Sequence, residues 1–280
     1  MKEWKRHLIQ AISALLHNPH IPNFFGGRIH QGATKHLCVP GLNCYSCPGA
    51  AGACPIGSLQ AVIGGRTKNV SYYVSGTILL LGVLFGRLIC GFLCPFGLLQ
   101  DLLHKIRSPK PRLPRRLDQG LRWGKYLALA AVLILPALVT DAFGLGAPYF
   151  CKYLCPAGTL LGGIPLILGN EGLRAAIGFL FSWKMGILLL VLAGSVLLYR
   201  PFCKYLCPLG AVYGLLNRFS VYQMKVDEKA CVHCGACERA CKMGVQVTKN
   251  INSAECIRCG LCKSICPTKA IKSGCIFGRS

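Results

Sequence analysis

Hydrophobic positions in this chain fall into long runs rather than alternating or striped patterns. The clearest run, Val70 to Ile89, is about 20 residues long with a single charge, Arg87, near its end. That length suits a helix crossing a hydrocarbon core of roughly 30 Å. Trp123 to Thr140 and a stretch within Ala176 to Tyr199 predict two more spans, and Pro136 is tolerable inside the former. Leu8 to Leu16 is apolar after the basic start Met1 to Arg6, and His17, Asn18, Pro19 and His20 interrupt it. No small-residue cleavage site follows, so residues 7–25 read as an uncleaved first membrane helix, or as a helix lying in the interface. Residues 26–69 are Gly-rich and irregular, 95–104 are amphipathic, and from 225 the chain turns polar and lysine-bearing. The pattern predicts an α-helical integral membrane domain of about four spans over residues 1–224. A small α+β domain over 225–274 and a short tail, 275–280, follow it.

Charge orients these spans. Lys105, Arg107, Lys110, Arg112, Arg115, Arg116, Arg122 and Lys125 crowd a linker that also holds Pro109, Pro111 and Pro114, which marks it as cytoplasmic. Counting crossings from it puts the loop holding Cys38 to Cys54 outside, Cys90 and Cys94 inside, Cys151 and Cys155 outside, and Cys203 and Cys207 inside. The expectation is a multi-pass protein of the cytoplasmic membrane, with the bilayer as its first partner and the polar C-terminal domain in the cytoplasm.

Composition agrees: 53% of the 280 residues are hydrophobic, 15% are charged, and the mean hydropathy is +0.47. The formal charge of +23 raises nucleic-acid binding, but no nucleic-acid motif accompanies it and basic cytoplasmic loops account for it. Thiolate-bound clusters would also lower the true excess. Nineteen cysteines in a long apolar chain, mostly spaced C-x2-C or C-x3-C, favour metal ligation over a disulfide framework.

The cysteines follow two patterns. C-x3-C-P-x-G occurs at Cys90–Gly97, Cys151–Gly158 and Cys203–Gly210, and a shortened relative, Cys54-Pro55-Ile56-Gly57, lies upstream behind Cys38, Cys44 and Cys47. Two thiols one helical turn apart before Pro and Gly suit a cluster held where a helix ends. The downstream sequences of Cys54 and Cys155 resemble each other, as do those of Cys94 and Cys207. This predicts a tandem duplication, with halves at about 26–106 and 141–219, around a pseudo-two-fold axis along the membrane normal. Cys90, Cys94, Cys203 and Cys207 then make one complete [4Fe–4S] ligand set. The outer set takes Cys54, Cys151 and Cys155, with Cys47 expected as the fourth. Cys38 and Cys44 remain a redox disulfide, spare ligands or part of a further site. The bland reading, small buried hydrophobes, does not account for three repetitions of one motif.

Cys231-x2-Cys234-x2-Cys237-x3-Cys241 and Cys256-x2-Cys259-x2-Cys262-x3-Cys266-Pro267 have the bacterial ferredoxin spacing for two [4Fe–4S] clusters. In that pattern the fourth cysteine of each run serves the other cluster. One set is Cys231, Cys234, Cys237 and Cys266; the other is Cys256, Cys259, Cys262 and Cys241. Lys242 stands where Pro usually follows. A zinc ribbon would leave four of these cysteines unexplained. Cys275 fits neither run. His17, His20, His30 and His36 are weaker candidates for haem or quinone, and solvated or interfacial histidines are the plainer reading. Arg87 and Lys184 either snorkel or offset cluster charge.

Spans punctuated by C-x3-C-P and ending in a two-cluster ferredoxin domain resemble the NapH/NosR-type membrane polyferredoxins. Cys90/Cys94-Pro95, Cys203/Cys207-Pro208 and the eight ferredoxin cysteines carry the resemblance. The segment 38–50 and the pair Cys151/Cys155 look like a subgroup feature of anaerobes. The resemblance implies electron transfer between a soluble carrier and a membrane or extracytoplasmic partner. The lysine-rich C-terminal domain suits an acidic carrier, such as a ferredoxin or flavodoxin. No triad, nucleotide loop or Rossmann fingerprint appears, so an electron carrier or oxidoreductase subunit is expected rather than a stand-alone enzyme. The alternatives are a membrane quinone reductase or quinol oxidase subunit, and a cluster-based redox sensor or assembly factor.

Overall fold

The computed structural model describes residues 3–65, 71–111 and 113–276. Its first helix, Glu3–His17, turns a polar face inward: Arg6, Gln10 and Ser13 are buried, while Leu8, Ile12, Leu15 and Leu16 are exposed. An apolar outer face with a polar inner one is the reverse of a water-soluble helix. The same outward display recurs at Leu79 and Leu80, at Leu127 and Leu138, and at Leu189 and Leu190.

Arg116–Leu138 and Phe179–Leu197 are long and apolar enough to cross a membrane. The expected span from Val70 to Ile89 differs. Its helix, Tyr72–Phe85, has 14 residues and ends at Gly86, whose φ of +55° breaks the α-helical path. At 1.5 Å per residue it covers only about 21 Å. The first helix, at 15 residues, is likewise shorter than the segment 7–25 expected to span.

The four Cys-Pro steps that carry the glycine motif share one local consequence. Cys54, Cys94, Cys155 and Cys207 each adopt an extended backbone, and Pro55, Pro95, Pro156 and Pro208 each begin a new helix. The cause is steric: proline disfavours α geometry in the residue before it, and is itself suited to a first helical position. The helices that follow, Pro95–Leu103 and Pro208–Leu216, exchange neighbours. Pro95–Leu103 packs on Phe179–Leu197, and Pro208–Leu216 packs on Tyr72–Phe85 and Gly124–Leu138.

Buried charge joins the two halves. Arg200 binds Asp101 through Nε and Nη2 at 2.7 and 2.6 Å, and Arg6 reaches the same carboxylate at 2.7 Å. Burial pushes the Asp101 carboxyl up, but Arg200 and Arg6 outweigh it and hold its pKa at about 2.

The C-terminal domain is framed by two antiparallel strands, β1 (Tyr222–Val226) and β2 (Ile271–Cys275), in the register Tyr222 to Cys275 through Val226 to Ile271. Met224, Val247, Ile251 and Ile271 form its own core. Met243, Val245 and Ile257 belong instead to the main core, together with Cys90, Cys94, Cys203 and Cys207. The domain therefore docks rather than dangles.

Asp101→Asn should leave Arg200 and Arg6 buried against a neutral amide. A loss of about 3–5 kcal/mol is expected for one partner removed from a buried ion pair, read by thermal unfolding in detergent. Unfolding at the parent's temperature would show that the two arginines do not depend on this carboxylate.

Candidate metal centres

All nineteen cysteines are free thiols, Cys38 and Cys44 among them. Sixteen of the thiols gather in four places. Site 1, lined by Cys231, Cys234, Cys237 and Cys266, is a cavity of about 400 Å³. Site 2, lined by Cys241, Cys256, Cys259 and Cys262, is one of about 640 Å³. Each draws its fourth thiol from the other run, because each short helix, Ala236–Ala240 and Leu261–Ile265, ends in an extended cysteine that points across the domain. Burial pushes the Cys256 thiol up to about 11 and Cys262 to about 12. Without metal these groups are neutral, and ligation would release their protons.

Site 3 takes two thiols from each half. Cys90, Cys94, Cys203 and Cys207 line a cavity of about 300 Å³, closed by Pro40, Gly41, Leu42 and Tyr213. Two fully buried arginines cross over it. Arg87, three residues before Cys90, donates to the Cys203 carbonyl at 2.7 Å, and Arg200, three before Cys203, donates to the Cys90 carbonyl at 2.5 Å. The glycine of each motif gives them room. A Cβ on Gly97 would lie 3.3 Å from Arg200 Nη1, and one on Gly210 would lie 3.3 Å from Arg87 Nη2.

Site 4 joins Cys54, Cys151 and Cys155 with Cys44, and here the structure departs from the expected ligand set. Cys155 lies within electrostatic reach of Cys151, Cys44 and Cys54. A Cβ on Gly158 would sit 3.8 Å from Cys44 Sγ and 3.9 Å from Cys155 Sγ, and one on Gly57 would sit 3.8 Å from Cys151 Sγ. Cys47, expected as the fourth thiol, is buried beside Cys44 and donates to Asn18 Oδ1 at 3.4 Å. The tight turn Cys44–Cys47 carries only its first thiol to the site. Cys38 pairs with Ala53 in an isolated bridge.

Paired glutamines serve sites 3 and 4 alike. Gln100 donates to Cys203 Sγ at 3.1 Å and accepts from the Phe202 N–H at 3.2 Å. Gln60 donates to Cys151 Sγ at 3.4 Å and accepts from the Phe150 N–H at 3.0 Å. Each lies six residues after the Cys of a Cys-Pro, a repeat legible in the sequence but not used there. The arginine three residues before Cys90 and Cys203 is a second such signal. Lys184 turns inward to the Cys151 carbonyl at 3.2 Å rather than snorkelling.

Among the described residues, no three His, Cys, Asp or Glu side chains close around one point as a single bound ion requires. Sets of four thiols, not drawn around one point as a single ion would need, fit a cluster, with a thiolate at each iron, better than zinc. The histidines expected as weaker candidates do not join these sites: His20 and His30 stack on each other, 3.8 Å between ring centroids.

A 4Fe-4S binding domain family model matches residues 70–114, 127–171 and 179–225, and another of the same description matches 224–246 and 249–272. Among curated relatives, an uncharacterized protein of Methanocaldococcus jannaschii is 28% identical over 199 residues, 69% of this chain and 66% of its own. The methylamine utilization ferredoxin-type protein MauN of Paracoccus denitrificans is 32% identical over 168 residues, 58% of this chain and 52% of its own. The ferredoxin-type protein NapH of Haemophilus influenzae is 26% identical over 166 residues, 59% of this chain and 50% of its own. This chain belongs to the NapH/NosR-type polyferredoxin family. It spans about half the length of the MauN and NapH relatives. No solved structure matches it.

Within this polyferredoxin, Cys44→Ser should remove the iron and sulfide of one cluster from anaerobically purified protein, whereas Cys47→Ser should keep the full complement. The reverse result would assign Cys47 to site 4 in place of Cys44.

Proposed function

We propose that this polyferredoxin is a multi-pass membrane protein that relays electrons through four [4Fe–4S] clusters, one at each thiol site. The observation that carries the reading is the order of the sites. Site 1 and site 2 share one small domain. Ile257, between Cys256 and Arg258, packs into the core that holds the site 3 thiols. Sites 3 and 4 share the loop from Pro40 to Cys44. Leu42 N–H bonds Cys94, and Tyr213, which lines site 3, donates to the Pro40 carbonyl at 3.0 Å and lies within electrostatic reach of Cys54. The clusters would supply the one-electron chemistry. The chain's part is to bury them, fix their spacing and set the charge around them.

The outward apolar residues, the two long apolar helices and the basic linker support a membrane position with sites 1 and 2 in the cytoplasm. The exchanged helix neighbours and crossed arginines support a tandem duplication. The excess of lysine on the C-terminal domain supports an acidic soluble carrier as the cytoplasmic partner. The other end of the relay is a membrane or extracytoplasmic redox partner. One feature favours a second reading, a quinone-reactive subunit. His7, His104 and Tyr199 line a cavity of about 720 Å³ beside site 2. Reduction of the clusters by quinol alone would support that reading.

Four clusters bring about 16 iron and about 16 sulfide per chain, four of each per cluster. Anaerobic purification with iron and acid-labile sulfide analysis should find them, and EPR should resolve reduced [4Fe–4S] signals. About half that content, confined to residues 225–274, would reduce the membrane sites to packing. Transfer from a reduced acidic ferredoxin should slow as salt rises. A rate independent of ionic strength would remove the lysine-rich face from the docking surface.

A further inference from the structure

The crossed arginines at site 3 are near-equivalent, but their carboxylates come from different places. Arg200 pairs with Asp101, which lies seven residues after Cys94, and the first helix adds Arg6. The position seven residues after Cys207 is Gly214, which offers no carboxylate. Arg87 pairs instead with Glu255 of the C-terminal domain at 2.8 Å, and Lys125 of the helix Gly124–Leu138 binds the other oxygen of Glu255. The two triads, Arg200–Asp101–Arg6 and Arg87–Glu255–Lys125, each set two cations on one carboxylate, and each includes the arginine three residues before a site 3 cysteine. Arg87 and Lys125 are fully buried, and Glu255 is 5% exposed.

Gly214 also makes the space that the incoming segment fills. A Cβ there would lie 2.9 Å from the Ala254 carbonyl, one residue before Glu255. A Cβ on Gly91 would lie 2.5 Å from the Ile257 carbonyl. Arg87 Nη1 holds the Ala254 carbonyl at 2.7 Å, and Asn217 donates to the carbonyls of Ser253 and Cys256 at 2.7 and 3.0 Å. The segment 253–257 is thus clasped from both halves, and it contains Cys256 of site 2.

We propose that the ferredoxin domain is keyed onto site 3 by Glu255, which supplies the carboxylate that Gly214 leaves out. Glu255 and Arg87 are then positioning residues for electron exchange between sites 2 and 3. The exchange itself rests on the relay proposed above; the docking does not. With a low-potential one-electron donor such as reduced ferredoxin, one electron leaves the cluster at site 2 and enters that at site 3. No bond is made or broken, and no proton is required.

The test uses the full-length, cluster-loaded chain in detergent. Hydrogen exchange over residues 253–258 reads docking, and stopped-flow reduction by reduced ferredoxin reads transfer to site 3. Glu255→Gln should lose protection over 253–258 at least tenfold. It should slow the site 3 phase at least tenfold, while sites 1 and 2 reduce at the parental rate. Glu255→Asp should recover part of both. Parental protection and rate in Glu255→Gln would overturn the proposal. If Glu255→Gln fails to accumulate, Lys125→Gln, which leaves Glu255 paired with Arg87 alone, takes its place and should lower both protection over 253–258 and the site 3 rate at least threefold. Parental protection and rate in that variant would also overturn the proposal. Parental protein that shows protection but passes no electron to site 3 would refute the relay and leave the docking standing.

Discussion

Buried positive charge is the constraint on which the centre of this molecule depends. Arg87, Arg200 and Lys125 are wholly removed from solvent, and each would be prohibitive there alone. Two carboxylates, Asp101 and Glu255, and the carbonyls of Cys90 and Cys203 make the burial tolerable. Because each arginine donates to the carbonyl of the opposite half's first cysteine, pairing the charges and assembling site 3 are one event. Separating the halves would strand a guanidinium and take two thiols away from the other two. The same geometry places positive charge beside a site that would hold an anionic cluster.

Placement of the thiols rests on a simpler piece of chemistry. A residue before proline is driven out of α geometry, so the Cys-Pro steps at Cys94, Cys155 and Cys207 each end one helical segment and start another, and that at Cys54 starts a helix directly from the preceding loop. The thiol is left at the junction, where neither helix crowds it. The motif's glycine, three positions later, admits the other half's arginine at site 3 and the neighbouring thiols at site 4. One short motif therefore fixes the ligand, the turn and the clearance.

This local logic explains what was legible in the sequence. The ferredoxin runs fold on themselves, so spacing alone pairs the thiols that line sites 1 and 2. The Cys-Pro repeats likewise gather the thiols of site 3. The helix within the expected span at 70–89 is shorter than its apolar run because hydropathy does not register Gly86, which ends that helix through backbone geometry. Cys44 does not stand out from Cys47 in the sequence because the loop 38–54 has no periodicity from which to project a side chain. Glu255 was invisible for another reason: its partner Arg87 is 168 residues away, and no local pattern reports a contact of that range.

Site 4 differs from site 3 in how its fourth thiol is supplied. By the C-x3-C spacing, the partner of Cys54 would stand at residue 50, where the chain has Ala50, fully buried. The thiol that lies beside Cys151 and Cys155 is instead Cys44, on the loop that runs from Pro40. That loop cannot be arranged for site 4 alone, because Pro40, Gly41 and Leu42 close site 3 on the way. A Cβ on Gly41 would stand 3.0 Å from the Cys94 Cα, so the backbone already touches the site 3 junction. Leu42 then bonds Cys94 through its N–H, and two residues later Cys44 reaches site 4. Whatever fixes the path from residue 40 to 44 fixes the separation of the two sites. A loop that looks irregular in sequence is held at both ends by thiols, and its lack of periodicity follows from that double duty.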